Sequence, residues 1–276
     1  MGSFIKFILS LFLGTLVSCS NISNSLVYHP DNYLYAHPDQ FKVKFTAFTI
    51  PSKDQTTLSA WRLYSKNPNP KRLLLYFHGN AQNLTSHFVN TVWMTDYDTD
   101  IIIFDYRGFG RSGGSPEPQG LSEDGETFLS YAHTEFIKGH FKQFVVYGQS
   151  LGGAVVMKSL ENFPYRKDIS LLVLDSTLRS PRDVARKKSF WPLSLIVSNE
   201  AVAKESLDHL TMPILSIHST NDYVIHYDIG VNLYNSIKSS PKKEFWSFDD
   251  VGHGDVFFVQ DKKYQKKFIE LLDSLP

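Results

Sequence analysis

Five apolar runs, at residues 73–77, 101–104, 144–147, 171–174 and 214–217, constrain this chain more than any other feature. Each is continuous rather than alternating, the pattern of a parallel strand covered on both faces. The stretches between them at 84–94, 120–137 and 151–163 have helical character, so strand and helix take turns along the chain. That order predicts an α/β fold: a mostly parallel central sheet with helices on both faces. Ahead of the runs, Phe41, Val43 and Phe45, and then residues 58–63, alternate with polar neighbours and predict two antiparallel strands. With 42% hydrophobic and 14% aromatic residues in 276, one large domain over 42–276 has enough apolar surface to bury them all.

Charge and cysteine content remove several classes of function. Lys plus Arg equals Asp plus Glu at 28 each, with no block of like charge, so a nucleic acid backbone finds no electrostatic footprint. The single cysteine, Cys19, permits neither an internal disulfide nor a cysteine-based metal site. No Asp, Glu and His cluster has metal-ligand spacing, and neither a metal nor a cofactor is expected.

The position of Cys19 matters more than its number. Lys6, an apolar run over 7–17 and then small residues give residues 1–18 the layout of a secretory signal, too short to span a bilayer as a helix. Residues 19–41 are polar and rich in Asn, Tyr, His and Pro, as a tether would be. Leu16-Val17-Ser18-Cys19 resembles the lipobox of bacterial lipoproteins. The resemblance implies export, lipidation of Cys19 and anchoring to a membrane on its periplasmic side.

In an open α/β sheet, chemistry is sought just beyond the carboxyl ends of the strands. After the run at 144–147 comes Gly148-Gln149-Ser150-Leu151-Gly152, a G-x-S-x-G elbow placed between a strand and a helix. Its serine sits on a strained turn, and small residues at 148 and 152 let strand and helix approach closely. A serine hydroxyl is a weak nucleophile until a base takes its proton, so a histidine and a carboxylate should follow in the chain. Asp222 lies a few residues beyond the run at 214–217, and His253 sits between glycines after a strand-like 244–248. The order Ser150, Asp222, His253 fits the elbow, and Asp222 is favoured over Asp175, which ends the run at 171–174, because the acid that accompanies such an elbow usually follows the later strand. The amides of Leu151 and of Asn80, in His78-Gly79-Asn80-Ala81, are the expected oxyanion donors, with Ala81 as the alternative to Asn80.

Gly108-Phe109-Gly110-Arg111-Ser112-Gly113 also satisfies G-x-G-x-x-G after a strand. Gly114-Ser115-Pro116-Glu117-Pro118 then interrupts the helix whose N-terminus would receive a pyrophosphate, so a nucleotide site is not expected here.

Taken together, these motifs make the chain resemble the small alpha/beta-hydrolase-domain proteins of bacteria and eukaryotes, the branch with membrane-associated acyl hydrolases and thioesterases. The likeness spans about residues 27–273 and rests on Tyr28-His29-Pro30, Phe77 to Ala81, Asp105 to Ser112, the elbow, Asn221-Asp222 and Gly252-His253. It implies the alpha/beta-hydrolase fold and a serine hydrolase acting on a small-molecule or lipid-like acyl substrate. A serine peptidase using the same triad is one alternative; a catalytically silent, membrane-tethered binding protein is another. Residues 180–211, with Phe190-Trp191-Pro192-Leu193, are long enough between two strands to form a small lid.

Overall fold

The computed structural model describes residue 24 and residues 27–178, 207–258 and 261–276. The expected signal at 1–18, Cys19 and all of the expected lid over 180–211 except its last five residues lie outside the described residues.

Among the described residues, eight strands form one sheet: β1 (Phe45–Pro51), β2 (Thr57–Leu63), β3 (Arg72–Phe77), β4 (Thr99–Phe104), β5 (Gln143–Gln149), β6 (Ile169–Asp175), β7 (Ile214–Ser219) and β8 (Lys243–Phe248). Their order across the sheet is β1-β2-β4-β3-β5-β6-β7-β8. β1 pairs antiparallel with β2, and β2 antiparallel with β4, while every pair from β4 to β8 is parallel. After β3 the chain steps outward to β4, then crosses back to lay β5 on the other side of β3. This reversal is a topological switch point, and it opens a crevice at the carboxyl ends of β3 and β5.

The continuous apolar runs behave as their pattern requires. All residues of β3, β4 and β5 are buried. Because side chains alternate across a strand, Leu73, Leu75 and Phe77 enter one core layer, and Leu74 and Tyr76 the other. The first layer is closed by Phe128 of helix α2 (Pro118–Lys138) and Val156 of α3 (Leu151–Ser159). Phe268 and Leu272 of α5 (Lys263–Ser274) close the second. Two further helices are α1 (Leu84–His87) and α4 (Tyr227–Ser236).

Three expectations change in detail. The stretch at 84–94 is not one helix: after α1 it continues as two 3-10 turns, Phe88–Asn90 and Val92–Asp96. Thr91 between them leaves helical geometry (φ −121°, ψ −12°), consistent with the restricted side-chain freedom of a β-branched residue in a helix. The alternation at Phe41, Val43 and Phe45 does not begin a strand. Pro38–Phe41 is a 3-10 turn capped by the His37 side chain, Lys42 takes a left-handed φ of 56°, and β1 starts only at Phe45.

Much of the segment expected as a tether is docked. Asn80 donates to the Val27 carbonyl (2.6 Å) and accepts from the His29 amide (3.2 Å), and Tyr28 is buried. Asn83 reaches Asp31 and the Tyr33 carbonyl. Short polar side chains in the loop after β3 thus bond the backbone of residues 27–33, an attachment that composition does not register.

Candidate active site

β5 ends at Gln149, and Ser150 turns the chain into α3 with φ 52° and ψ −115°, a combination few residues with a Cβ adopt. The glycines around it are required by contact. A Cβ at 148 would stand 2.7 Å from the Gly153 Cα, and one at 152 would stand 2.0 Å from the Phe77 carbonyl oxygen. Since the atom met at 152 is backbone of the central strand β3, it cannot rotate away. Gly152→Ala is therefore expected to destabilise the domain by about 3 kcal/mol, the upper end of overpacking costs. The thermal midpoint reads this directly, and a midpoint equal to the parent's would remove the contact argument.

The carboxyl end of β7 carries Asp222 into a turn that fixes both of its oxygens. Oδ1 accepts the amides of Val224 and Ile225, each at 2.8 Å, and Oδ2 faces His253 Nδ1 at 2.7 Å. A carboxylate can only accept, so Nδ1 carries the proton and Nε2 keeps its lone pair. Burial alone would raise the Asp222 carboxyl. The hydrogen bond from His253, the electrostatic attraction between the two groups and the Ile225 amide outweigh that and hold the group below its ordinary range. His218, 3.4 Å from Oδ2 through its Nε2, points the same nitrogen at the Ile225 carbonyl at 2.9 Å.

Asp175, the rival carboxylate, has different partners. The Tyr147 hydroxyl donates to its Oδ2 (2.7 Å) and the Ser176 hydroxyl to its Oδ1 (3.1 Å). Burial pushes its carboxyl up. Of the two acids, Asp222 is the one hydrogen-bonded to His253.

His253 and Ser150 come from distant parts of the chain, and Gln149 joins their loops. Its Nε2 donates to the Gly254 carbonyl (3.3 Å), while its Oε1 accepts from Tyr76 (2.6 Å) and Asn90 (3.0 Å). On the opposite flank, a Cβ at Gly79 would lie 3.6 Å from the Ser150 Cβ, so the loop after β3 lies against Ser150. That loop runs through Asn80, Ala81 (φ 68°) and Gln82 (φ 57°). Leu151, the other expected oxyanion donor, is buried at the first position of α3, where backbone amides have no partner within the helix.

Residues that the sequence did not single out complete the surroundings. His87 bonds the Ala81 carbonyl (3.2 Å) and stacks on His78 with ring centroids 5.0 Å apart. Burial, then the nearby His78, push its pKa down to about 3, so it stands beside the loop as a neutral imidazole. His78 is fully buried, with Nδ1 2.8 Å from the Gly79 carbonyl. No short motif marks His87 or Ser176, and Gln149 fills a position that the elbow leaves open, so only their tertiary neighbours reveal their parts.

The glycine-rich stretch after β4 closes on the protein itself. Gly108 and Gly110 have φ of 78° and 51°, and a Cβ at 110 would meet the Asp105 carboxylate at 2.0 Å. Asp105 in turn accepts the Leu84 amide at 2.7 Å. The glycines wrap a buried carboxylate here, the wrong charge to face a phosphate. Among the described residues, no group of three or more His, Cys, Asp or Glu could hold a metal ion.

A serine delivered by a central parallel strand into the start of a helix, with an acid and a histidine supplied by later strands, is the alpha/beta-hydrolase arrangement. The family described as serine aminopeptidase, S33 matches residues 68–204. Protein bem46 of Schizosaccharomyces pombe is 31% identical over 225 residues, covering 79% of this chain and 74% of its own. The chain belongs to this alpha/beta-hydrolase family. YfhR of Escherichia coli K12 is 29% identical over 270 residues, 93% of this chain and 92% of its own. In fold, the esterase Pf2001 of Pyrococcus furiosus superposes with a TM-score of 0.70 over 90% of this chain and 97% of its own, at 18% identity.

Proposed function

We propose that the protein is a serine hydrolase cleaving a carboxylic ester or thioester through an acyl-enzyme on Ser150. The observation that carries this reading is the 2.7 Å bond between Asp222 and His253, which leaves Nε2 as a base, together with the strained elbow holding Ser150. In the first half-reaction Ser150 Oγ attacks the carbonyl carbon as His253 Nε2 takes its proton. The tetrahedral oxyanion is received by the amides of Leu151 and Asn80. As the carbonyl re-forms, the leaving alcohol or thiol departs with the proton held by His253. Water, activated by the same Nε2, then attacks the acyl-enzyme and restores Ser150. Throughout, Asp222 keeps Nδ1 protonated and stabilises the imidazolium.

A peptidase would use the same residues, and the aminopeptidase description of the matching family favours it as the second reading. Substrate series separate the two. p-Nitrophenyl esters of two to twelve carbons are expected to turn over with a clear optimum of chain length, and amino-acid p-nitroanilides at least about a hundredfold more slowly in kcat/KM. Faster cleavage of the anilides would replace the esterase reading with the peptidase. A folded protein that neither hydrolyses these substrates nor reacts with a fluorophosphonate would be the silent binding protein.

A further inference from the structure

The last residue of β6 and the one after it hold the backbone of Ser150 and of the residue that follows His253. The Asp175 carbonyl accepts the Ser150 amide at 2.8 Å and so fixes the backbone of the nucleophile. Ser176 comes next, fully buried, with a left-handed φ of 48° that is unusual for serine. Its amide is bonded to the Ile217 carbonyl of β7, and its hydroxyl donates to the Asp175 carboxylate. With its proton committed there, the same oxygen accepts the Gly254 amide at 3.1 Å. The other polar group of residue 254, its carbonyl, is the one held by Gln149. Gly254 therefore has both backbone polar groups gripped by side chains from the ends of β5 and β6. Its φ of 71° suits glycine, and a Cβ there would meet Gln149 Nε2 at 2.1 Å.

Strained backbone is retained where the surrounding structure over-determines it, and such sites cluster around catalytic machinery. Here the strain at Ser176 turns its hydroxyl onto the residue after His253. We infer that Asp175 and Ser176 form a ruler that sets the spacing between Ser150 and His253, with Ser176 and Gln149 as positioning residues acting through the Gly254 peptide. The inference deepens the proposed function and rests on its assignment of Ser150 and His253. It also gives Asp175 a part distinct from the acid: its main chain holds the elbow, and its carboxylate orients Ser176.

The test uses the full-length protein and reads kcat, KM and the rate of fluorophosphonate labelling together with the thermal midpoint. Ser176→Ala and Ser176→Gly both lose the hydroxyl, but only glycine accepts the left-handed backbone without strain. If the hydroxyl positions His253, both variants lose about ten- to hundredfold in kcat and in labelling rate, with KM changed less than about twofold. They do so although the glycine variant melts higher than the alanine one. Activity that instead follows the melting order, with glycine near the parent, would overturn the ruler. The clamp makes a second demand: Gln149→Ala opens the space that a Cβ at 254 needs, so the double variant with Gly254→Ala should be no slower than Gly254→Ala alone. Additive losses would count against it. Ser150→Ala serves as the control. If that variant keeps the parent's turnover, the triad reading falls and takes the ruler with it. A dead Ser150→Ala beside fully active Ser176 variants sinks the ruler alone.

Discussion

Ser150→Ala is expected to abolish fluorophosphonate labelling and to lower ester turnover by on the order of 10⁶-fold, close to 8 kcal/mol of transition-state stabilisation. The size follows from what the substitution leaves behind. The Cβ stays, so the turn keeps the packing of Gly148 against Gly153 and of Gly152 against Phe77. The backbone bond from residue 150 to the Asp175 carbonyl also stays. Only Oγ is lost, and with it the covalent route. What survives is activation of water by His253 and binding by the oxyanion amides, which in serine hydrolases leaves a residual of about 10³ to 10⁴ over the uncatalysed rate. Thermal midpoints of parent and variant should agree, so the loss is read as chemistry. Persistent labelling in the variant would move the nucleophile to another residue and remove the basis of the mechanism.

How far this site was legible beforehand depends on what kind of constraint each residue answers to. The elbow was legible because its geometry acts on the chain locally. A strand cannot turn into a helix so tightly unless 148 and 152 lack side chains, and that requirement is written at fixed spacing. The parallel strands were legible for a similar reason: burial on both faces forbids polar residues over a whole run, as β3, β4 and β5 illustrate. Asp222 and His253 could be ordered along the chain but not joined by sequence, since their hydrogen bond spans 31 positions. Gln149, Ser176 and His87 were invisible. Each occupies a position whose residue type no motif specifies, and its part is defined by a partner as far away as the 105 positions between Gln149 and Gly254. The docking of residues 27–33 failed to show for the opposite reason: a polar, proline-containing composition suits a free tether and a segment bonded through its backbone equally well.

The Asp222–His253 pair also yields the sharpest comparison between two acids, because Asp222→Asn is expected to cost about 10⁴-fold in kcat whereas Asp175→Asn costs about tenfold. An asparagine at 222 has little freedom in how it sits. The amides of Val224 and Ile225 both point at the Oδ1 position and demand an acceptor, so the carboxamide oxygen must stay there. Its NH₂ then occupies the place of Oδ2 and donates toward His253 Nδ1. The imidazole answers by moving its proton to Nε2, the nitrogen that must be free to deprotonate Ser150. Geometry is kept while the tautomer is wrong, and kcat should fall with little change in KM. At Asp175 both oxygens accept hydroxyl protons, from Tyr147 and Ser176. Hydroxyls can turn and accept from an amide instead, so the Asp175→Asn variant keeps most of that network. Measuring kcat for both variants on one ester decides the matter. A larger loss at 175 than at 222 would transfer the acid's role and leave the Asp222 turn as scaffold.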